Sequence, residues 1–474
     1  MGKKSRTPKK RSKAKPTPTP APSEQVELIT PTEESIHKAL ARAETLSQRG
    51  DASGAQEIYH AAATCLRDDI SKNDSGGDNY VRVALLARVL GQSGECQTSV
   101  GNVEDALTSF HEGIALLSPL VGNTDEDTEE PAVSYDSEAP PVLLEALASL
   151  YLYKGQVMES EEALTSYRRG VAFYERALEM YEEEEKDVET DVVMDEGGEE
   201  GDSPPKPDVD VRKQLCAAYC SIGELYLTDL CYHPNAETEC ESSIQNALRY
   251  DSPTSPPDAL QAMANLRLSQ CRNADALTYM LRVFDRMKKG CTMLASLVGL
   301  GPPMNKKEAM EPNMEAASSL PSFEFRIASA KLLLECAASE SDISRADAPI
   351  APGTTKGDQC DDCCEAALFI LGSLLAEDDE TIEVWYLIGC ACVQFHEPNT
   401  DMAEYHWGKA LQMMENERKL VERAMEEEED DEVLDEMKQE LECATNQIED
   451  LATKLKGLGQ KDDEGEEGNE MTLD

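Results

Sequence analysis

In three separate segments of this chain a small residue is followed at once by glutamate in the same local setting, as Ala43-Glu44, Gly94-Glu95 and Gly223-Glu224. Isolated carboxylates in one repeated setting do not make a catalytic centre, which needs convergent groups of tuned protonation state. They can grip cations, because charge-assisted hydrogen bonds from Lys and Arg to a carboxylate are among the strong ones. The chemistry these pairs point to is recognition of a basic ligand.

Other reactive residue types are present without a reactive pattern. The six histidines, His37, His60, His111, His233, His396 and His406, are scattered, and each reads as a satisfied or exposed helical residue. Cys360-Asp361-Asp362-Cys363-Cys364, upstream of Cys390 and Cys392, contains one Cys-x-x-Cys spacing. A structural zinc site needs four soft or imidazole ligands in tetrahedral array. Cys364, Cys390 and Cys392 fall on helical faces that should be packed, so the cluster reads as thiols in a core, and no metal or cofactor is expected. The chain has no Gly-rich phosphate loop ending in Lys-Ser/Thr, no His-Glu-x-x-His and no Gly-x-Ser-x-Gly. The reading is therefore of a protein that is not an enzyme.

The elements that must carry these residues show a repeated order of small and large positions. In the first segment Ala43, Leu46, Ala55, Tyr59 and Ala62 fall at positions 8, 11, 20, 24 and 27 of a two-helix unit, with Gly50-Asp51 at the turn. Thr32-Glu33-Glu34-Ser35 supplies a helix start before it. Gly94, Ala106, Phe110 and Gly113 repeat the pattern with Gly101-Asn102 at the turn, and Pro119 is expected to end the second helix. Leu144, Leu147, Ala148 and Tyr151 open a third pair that Gly170, Tyr174 and Ala177 answer after an insertion. Ile222, Gly223 and Tyr226, then Cys240, Ile244 and Ala247, make a fourth. A weaker fifth covers 259–286. The sixth has helices near Phe323 to Ala338 and Cys364 to Leu375, and the seventh is marked by Trp385, Ile388, Gly389, Ala403, Trp407 and Ala410. Small residues let two helices approach and large ones fill the space beside them, which is the tetratricopeptide (TPR) pattern. Such hairpins must stack to cover their apolar faces. The expected fold class is all-α, a TPR right-handed superhelical solenoid with disordered acidic insertions and tails.

The domain reading that follows is a disordered basic arm over 1–30 and a solenoid of about seven helix pairs over 31–425. Acidic disordered insertions are placed near 123–139 and 182–210, and a loop near 339–359. The run Glu182 to Asp202 holds twelve acids and one Lys, and should not be ordered. An acidic stretch and an amphipathic helix occupy 426–456, where Leu434, Met437, Leu441, Ala444, Ile448, Leu451 and Leu455 form a heptad seam. That helix either dimerises or caps the last repeat, and capping is preferred because a solenoid must cover its final apolar face. An acidic disordered tail fills 457–474.

Charge sets the class of partner. The chain has 94 Asp and Glu against 44 Lys and Arg, a formal net charge of −50. Such a body repels nucleic acid and anionic membranes and attracts polycations. Eight Lys or Arg and no acid lie within residues 1–15, and Lys3, Lys4, Lys9, Lys10, Arg11 and Lys13 read as a nuclear-localisation patch, giving a cytoplasmic and nuclear protein. No secretory signal or membrane-spanning stretch is expected, and the fifteen cysteines are expected reduced.

In a TPR array the first helix of each pair lines the concave wall through positions 2, 5, 9, 12 and 13. Glu44, Glu95 and Glu224 take position 9, Glu145 position 5 and Glu383 position 2. Co-chaperones that clamp an acidic C-terminal peptide line this wall with cations, and here the sign is opposite. The acidic repeats, the basic N-terminus, the segment Glu383-Val384-Trp385-Tyr386-Leu387-Ile388-Gly389-Cys390 and the acidic tail resemble the fungal dedicated assembly chaperones of large-subunit ribosomal protein four. The resemblance implies a non-enzymatic escort that shields a basic ribosomal protein, through its long internal loop, in an acidic groove and takes it with import factors to pre-60S assembly. The chain would be monomeric before client binding. A TPR scaffold or co-chaperone adaptor of another complex is the alternative.

Overall fold

A computed structural model describes residues 29–72, 79–122, 139–191, 207–303, 317–342, 356–427 and 431–463. The fold is all-α, and no strand occurs among the described residues. By packing, the chain divides into two compact units, residues 1–121 and 122–474. Residues 1–28, with Lys3, Lys4, Lys9, Lys10, Arg11 and Lys13, lie outside the described residues, as does the insertion at 123–138.

The N-terminal unit contains α1 (Glu33–Gln48), α2 (Ala52–Lys72), α3 (Asn79–Ser99) and α4 (Val103–Val121). Thr32 caps α1 by accepting the Ser35 amide on its hydroxyl at 3.4 Å, with Glu33 and Glu34 in the first turn where the helix dipole favours acids. The two hairpin turns are built alike. Gly50 and Gly101 sit at φ +81° and +80°, and the residue after each donates its amide back across the helix end, Asp51 to Leu46 and Asn102 to Gln97, both at 2.9 Å. Pro119 does not end α4, which runs two residues further. Pro119 forgoes its own bond to the carbonyl four residues before it, but its fixed φ of about −65° is helical and lets the last turn continue. Ile36, Leu40, Ala43, Tyr59, Leu66, Leu86 and Val89 are among the core between these helices.

The C-terminal unit contains α5 (Pro141–Val157), α6 (Ser160–Asp191), α7 (Pro207–Leu227), α8 (Ala236–Tyr250), α9 (Asp258–Ser269), α10 (Asn273–Leu297), α11 (Phe323–Asp342), α12 (Lys356–Glu377), α13 (Ile382–Gln394), α14 (Thr400–Glu427) and α15 (Asp431–Asp463). Within it each second helix packs between its own first helix and the first helix of the next pair, and α7, α9, α11 and α13 touch in sequence as a row of first helices. In the N-terminal unit α1 and α3 stand in the same relation.

Close approach explains the small residues. A Cβ on Gly94 would meet the Phe110 ring and one on Gly389 the Trp407 indole, while one on Gly223 would lie 2.7 Å from Ile244. The insertion in the third pair is helix rather than loop: α5 and α6 extend toward their turn, and Gly155 there meets the Tyr167 ring.

Several boundaries differ from expectation. The acidic run expected to be disordered from Glu182 begins as helix, because Glu is a good helix former and Arg212 of α7 pairs with Glu182 at 2.6 Å. Its remainder to 206 lies outside the described residues, and α7 starts at Pro207, a residue suited to a first helical position. The loop expected over 339–359 is shortened at both ends by α11 and α12. α12 is buried on most of its circumference between α10, α11 and α13, so it shows no polar face to mark its limits. α15 continues past 457 to Asp463. It folds back on α14, burying Ile448 and Leu451, and Lys454 donates to the Tyr386 hydroxyl of α13 at 2.9 Å. No described helix is long and apolar enough to cross a membrane.

Candidate functional site

Glu44 lies on α1 and Glu95 on α3, each one residue beyond a buried small residue, and both side chains are exposed. The buried residue fixes the helix face against the second helix, so the next position, about 100° around, is turned out of the hairpin interface. Both carboxylates act on the same group, the Tyr59 hydroxyl of α2. Burial, then the Cys96 thiol, Glu95 and Glu44 push its pKa up to about 12. The two glutamates thus project one negative field from successive first helices. Glu44 also accepts a hydrogen bond from the Gln48 amide at 3.4 Å.

The C-terminal unit repeats half of this arrangement. Glu224, exposed on α7, raises the pKa of Tyr167 on the preceding second helix, α6, where burial is the larger cause and a hydrogen bond with Ser221 opposes the rise. In both units, then, a position-9 carboxylate on a first helix raises the pKa of a tyrosine on the second helix before it.

Glu145 and Glu383 are engaged within the fold. Glu145 is half-buried and accepts the Tyr181 hydroxyl of α6, while burial and that carboxylate hold the Tyr174 hydroxyl at about 12. Glu383 is paired with Lys331 of α11 at 2.6 Å. Lys331 was missed in the sequence, although the same register finds it: it follows the buried small residue Ala330 just as Glu44 follows Ala43. An ion pair half exposed to water stabilises by at most about 1 kcal/mol, so a competing cation can displace Lys331 at small cost.

A second polar network, absent from the sequence reading, joins α6 to α7, α8 and α10. Glu175 accepts the hydroxyls of Tyr219 at 2.7 Å and Tyr250 at 3.4 Å, the two rings lying parallel with centroids 6.1 Å apart. Arg286 grips Asp251 through two hydrogen bonds, one of 2.8 Å, and the Ser252 carbonyl at 3.0 Å. Paired tyrosines and a half-buried guanidinium are structural devices, and their sequence signal is tyrosine and carboxylate in matching register.

The cysteine cluster proves to be core. Cys360, Cys363, Cys364 and Cys392 are buried, and Cys360 donates to the Gln394 carbonyl at 3.2 Å. Burial pushes the Cys392 thiol up to about 11. Among the described residues no three His, Cys, Asp or Glu form a metal-ligand set.

No family model matches the chain. A Schizosaccharomyces pombe (strain 972 / ATCC 24843) protein named "Probable assembly chaperone of rpl4" is 26% identical over 243 residues, 51% of this chain and 51% of that protein. The chain spans about half the length of the curated relative it matches. Among solved structures it is similar to "Assembly Chaperone of RpL4 (Acl4) (Residues 1-338)" at 21% identity and a TM-score of 0.44, covering 75% of this chain and 95% of that one. A human IFIT1 dimer with m7Gppp-AAAA is 12% identical with a TM-score of 0.25, covering 91% and 92%.

Proposed function

We propose that the chain is a non-enzymatic chaperone that holds a highly basic ribosomal protein of the large subunit until assembly. The observation that carries this reading is the exposure of Glu44 and Glu95 at the same position of two successive first helices, both raising the pKa of Tyr59, with Glu224 exposed at that position of its own unit and raising that of Tyr167. Carboxylates on the successive first helices of the N-terminal unit suit an extended segment of Lys and Arg, since each added pair contributes a charge-assisted hydrogen bond, and Glu224 offers the same grip on its own unit. The name of the fungal relative supplies the client class, ribosomal protein L4, and the long internal loop of that protein is the segment proposed to lie on the carboxylates.

A basic ribosomal protein outside the ribosome binds RNA without discrimination, because phosphate contacts dominate its affinity. Carboxylates over its cationic segment block this by competition. Ribosomal RNA, a denser polyanion, then displaces them at the assembly site. Import is assigned to Lys3, Lys4, Lys9, Lys10, Arg11 and Lys13, with import factors as carriers between cytoplasm and nucleus.

The test is titration of purified ribosomal protein L4 into the parent chain and into the triple variant Glu44→Lys, Glu95→Lys, Glu224→Lys at two salt concentrations. The variant should bind about 100-fold more weakly, three lost charge-assisted contacts of about 1 kcal/mol each, and with a flatter salt dependence. Equal affinity in parent and variant would remove the carboxylates from the mechanism. Separately, replacing the six N-terminal Lys and Arg by Ala should leave affinity unchanged and abolish nuclear accumulation of a fluorescent fusion.

A further inference from the structure

The last three helices leave an open groove that the fold does not fill. α15 packs tightly against the final pair at Ile448 and Leu451, but toward its N-terminal end the heptad seam parts from α14. A cleft of about 580 Å³ remains there between α13, α14 and α15, within the range of sites that bind ligands. Ile382, Met414, Val421, Leu441, Ala444 and Leu451 form its apolar wall. All but Leu451 are only partly covered, so a docking apolar side chain would bury surface that now meets water.

The rim is acidic and only partly neutralised. Glu383, Glu417, Glu440 and Asp450 border the cleft with one cation, Arg418. Glu383 is held by Lys331 at 2.6 Å and Asp450 by Lys454 at 2.7 Å, while Arg418 lies 3.5 Å from Glu422. Glu417 and Glu440, exposed on α14 and α15, have no cationic partner among the described residues. An apolar floor between unpaired carboxylates defines its ligand by both properties.

We infer that this groove binds a basic amphipathic peptide segment, in which bulky apolar residues enter the cleft and flanking Lys or Arg residues reach Glu417 and Glu440. Charge complementarity selects this occupant. A second copy of the chain would bring another −50 of charge to an acidic rim, and self-repulsion opposes that. The site lies between the last pair, α13 and α14, and the terminal helix α15. Its apolar floor is independent of Glu44, Glu95 and Glu224, so it does not rest on the chaperone reading.

The experiment uses the full chain and two fluorescein-labelled peptides, one with a central Phe-Leu pair between three Lys or Arg on each side, the other with Ser-Ser at the centre. The Phe-Leu peptide should bind about tenfold more tightly, the effect of two apolar side chains entering a cleft. Ala444→Arg, which fills the groove with a guanidinium, should reduce it to the Ser-Ser level. Glu417→Gln with Glu440→Gln, at exposed positions that do not carry the fold, should weaken the Phe-Leu peptide about threefold to tenfold and flatten its salt dependence. Glu44→Lys with Glu95→Lys should leave the ratio between the two peptides unchanged. Equal binding of the two peptides overturns the inference, as does full binding by Ala444→Arg with an unaltered far-ultraviolet circular dichroism spectrum. A dimer by light scattering that Ala444→Arg dissociates would assign the groove to a second copy and overturn it too.

Discussion

At the α9–α10 turn the αL position that Gly50 and Gly101 fill in the N-terminal unit is taken by Cys271 at φ +57°. The hydrogen bonds match, Arg272 donating to Arg267 at 2.8 Å and Cys271 to Leu268 at 2.8 Å. A side chain in this region costs about 1 kcal/mol relative to glycine, and the exposed Cys271 thiol offers nothing in return. Cys271→Gly should therefore stabilise the C-terminal unit by about 0.5–1 kcal/mol, after loss of some backbone entropy in the unfolded chain. Urea unfolding followed by tryptophan fluorescence measures this directly, since both Trp385 and Trp407 lie in that unit. His406 offers a second single-residue test. It is 6% exposed, lies 5.3 Å from the Trp385 ring, and its Nδ1 has no hydrogen-bond partner. Burial lowers its pKa from 6.5 to about 4, so between those values the unfolded chain binds the proton and the folded one does not. Stability must then fall as pH drops from 6.5 toward 4. His406→Phe should lose less over that window by on the order of 2 kcal/mol, allowing for partial solvation. The comparison is urea unfolding of parent and variant at pH 7.5 and 4.5, and a constant difference between them would refute it.

Among elements, those read correctly were the ones whose faces differ. α1, α2 and α4 alternate apolar and polar sides, and their small-large positions pair as the register requires. α12 opens on Lys356-Gly357-Asp358-Gln359, polar residues with no apolar stripe, so its start was placed at Cys364 rather than Lys356. The helical start of the acidic run in α6 was hidden because composition argued for disorder, whereas Arg212, thirty residues later, holds Glu182. Candidate carboxylates were legible for the same reason as the helices: position 9 follows a small buried residue. What opposes or engages them was not, because Lys331 and Tyr181 are brought near only by packing between helices. One such cross-element bond is Arg286 of α10 on Asp251 after α8. The Asp251 side chain is only 6% exposed. Removing the guanidinium leaves a carboxylate without its partner beside Asp258, whose own pKa burial and Asp251 already raise. Arg286→Ala should cost about 3 kcal/mol in urea unfolding, and Arg286→Met with Asp251→Asn much less, because the second change removes the stranded charge. Equal losses in the two variants would show that packing of the arginine stem, and not the charge, is what matters.

For the whole molecule the excess of acid acts on stability and on binding with opposite signs. A formal net charge of −50 repels itself in the compact state, and ions screen that repulsion over about 10 Å at 0.1 M salt. The folded chain concentrates its charge more than the unfolded one, so added salt relieves the folded state preferentially. The ion pairs that salt weakens are mostly exposed, such as Lys331 with Glu383, and contribute at most about 1 kcal/mol each. Relief of repulsion should outweigh them, and the melting temperature should rise between 20 and 300 mM NaCl by several degrees, at about 2–4 °C per kcal/mol for units of this size. Over the same range binding of a basic client should weaken, since client and carboxylates attract through the field that salt screens. Differential scanning calorimetry and titration on one preparation separate the two effects. A melting temperature that falls with salt would mean that local ion pairs govern the charged surface. One that rises while client affinity holds constant would mean that contacts other than Glu44, Glu95 and Glu224 carry the binding.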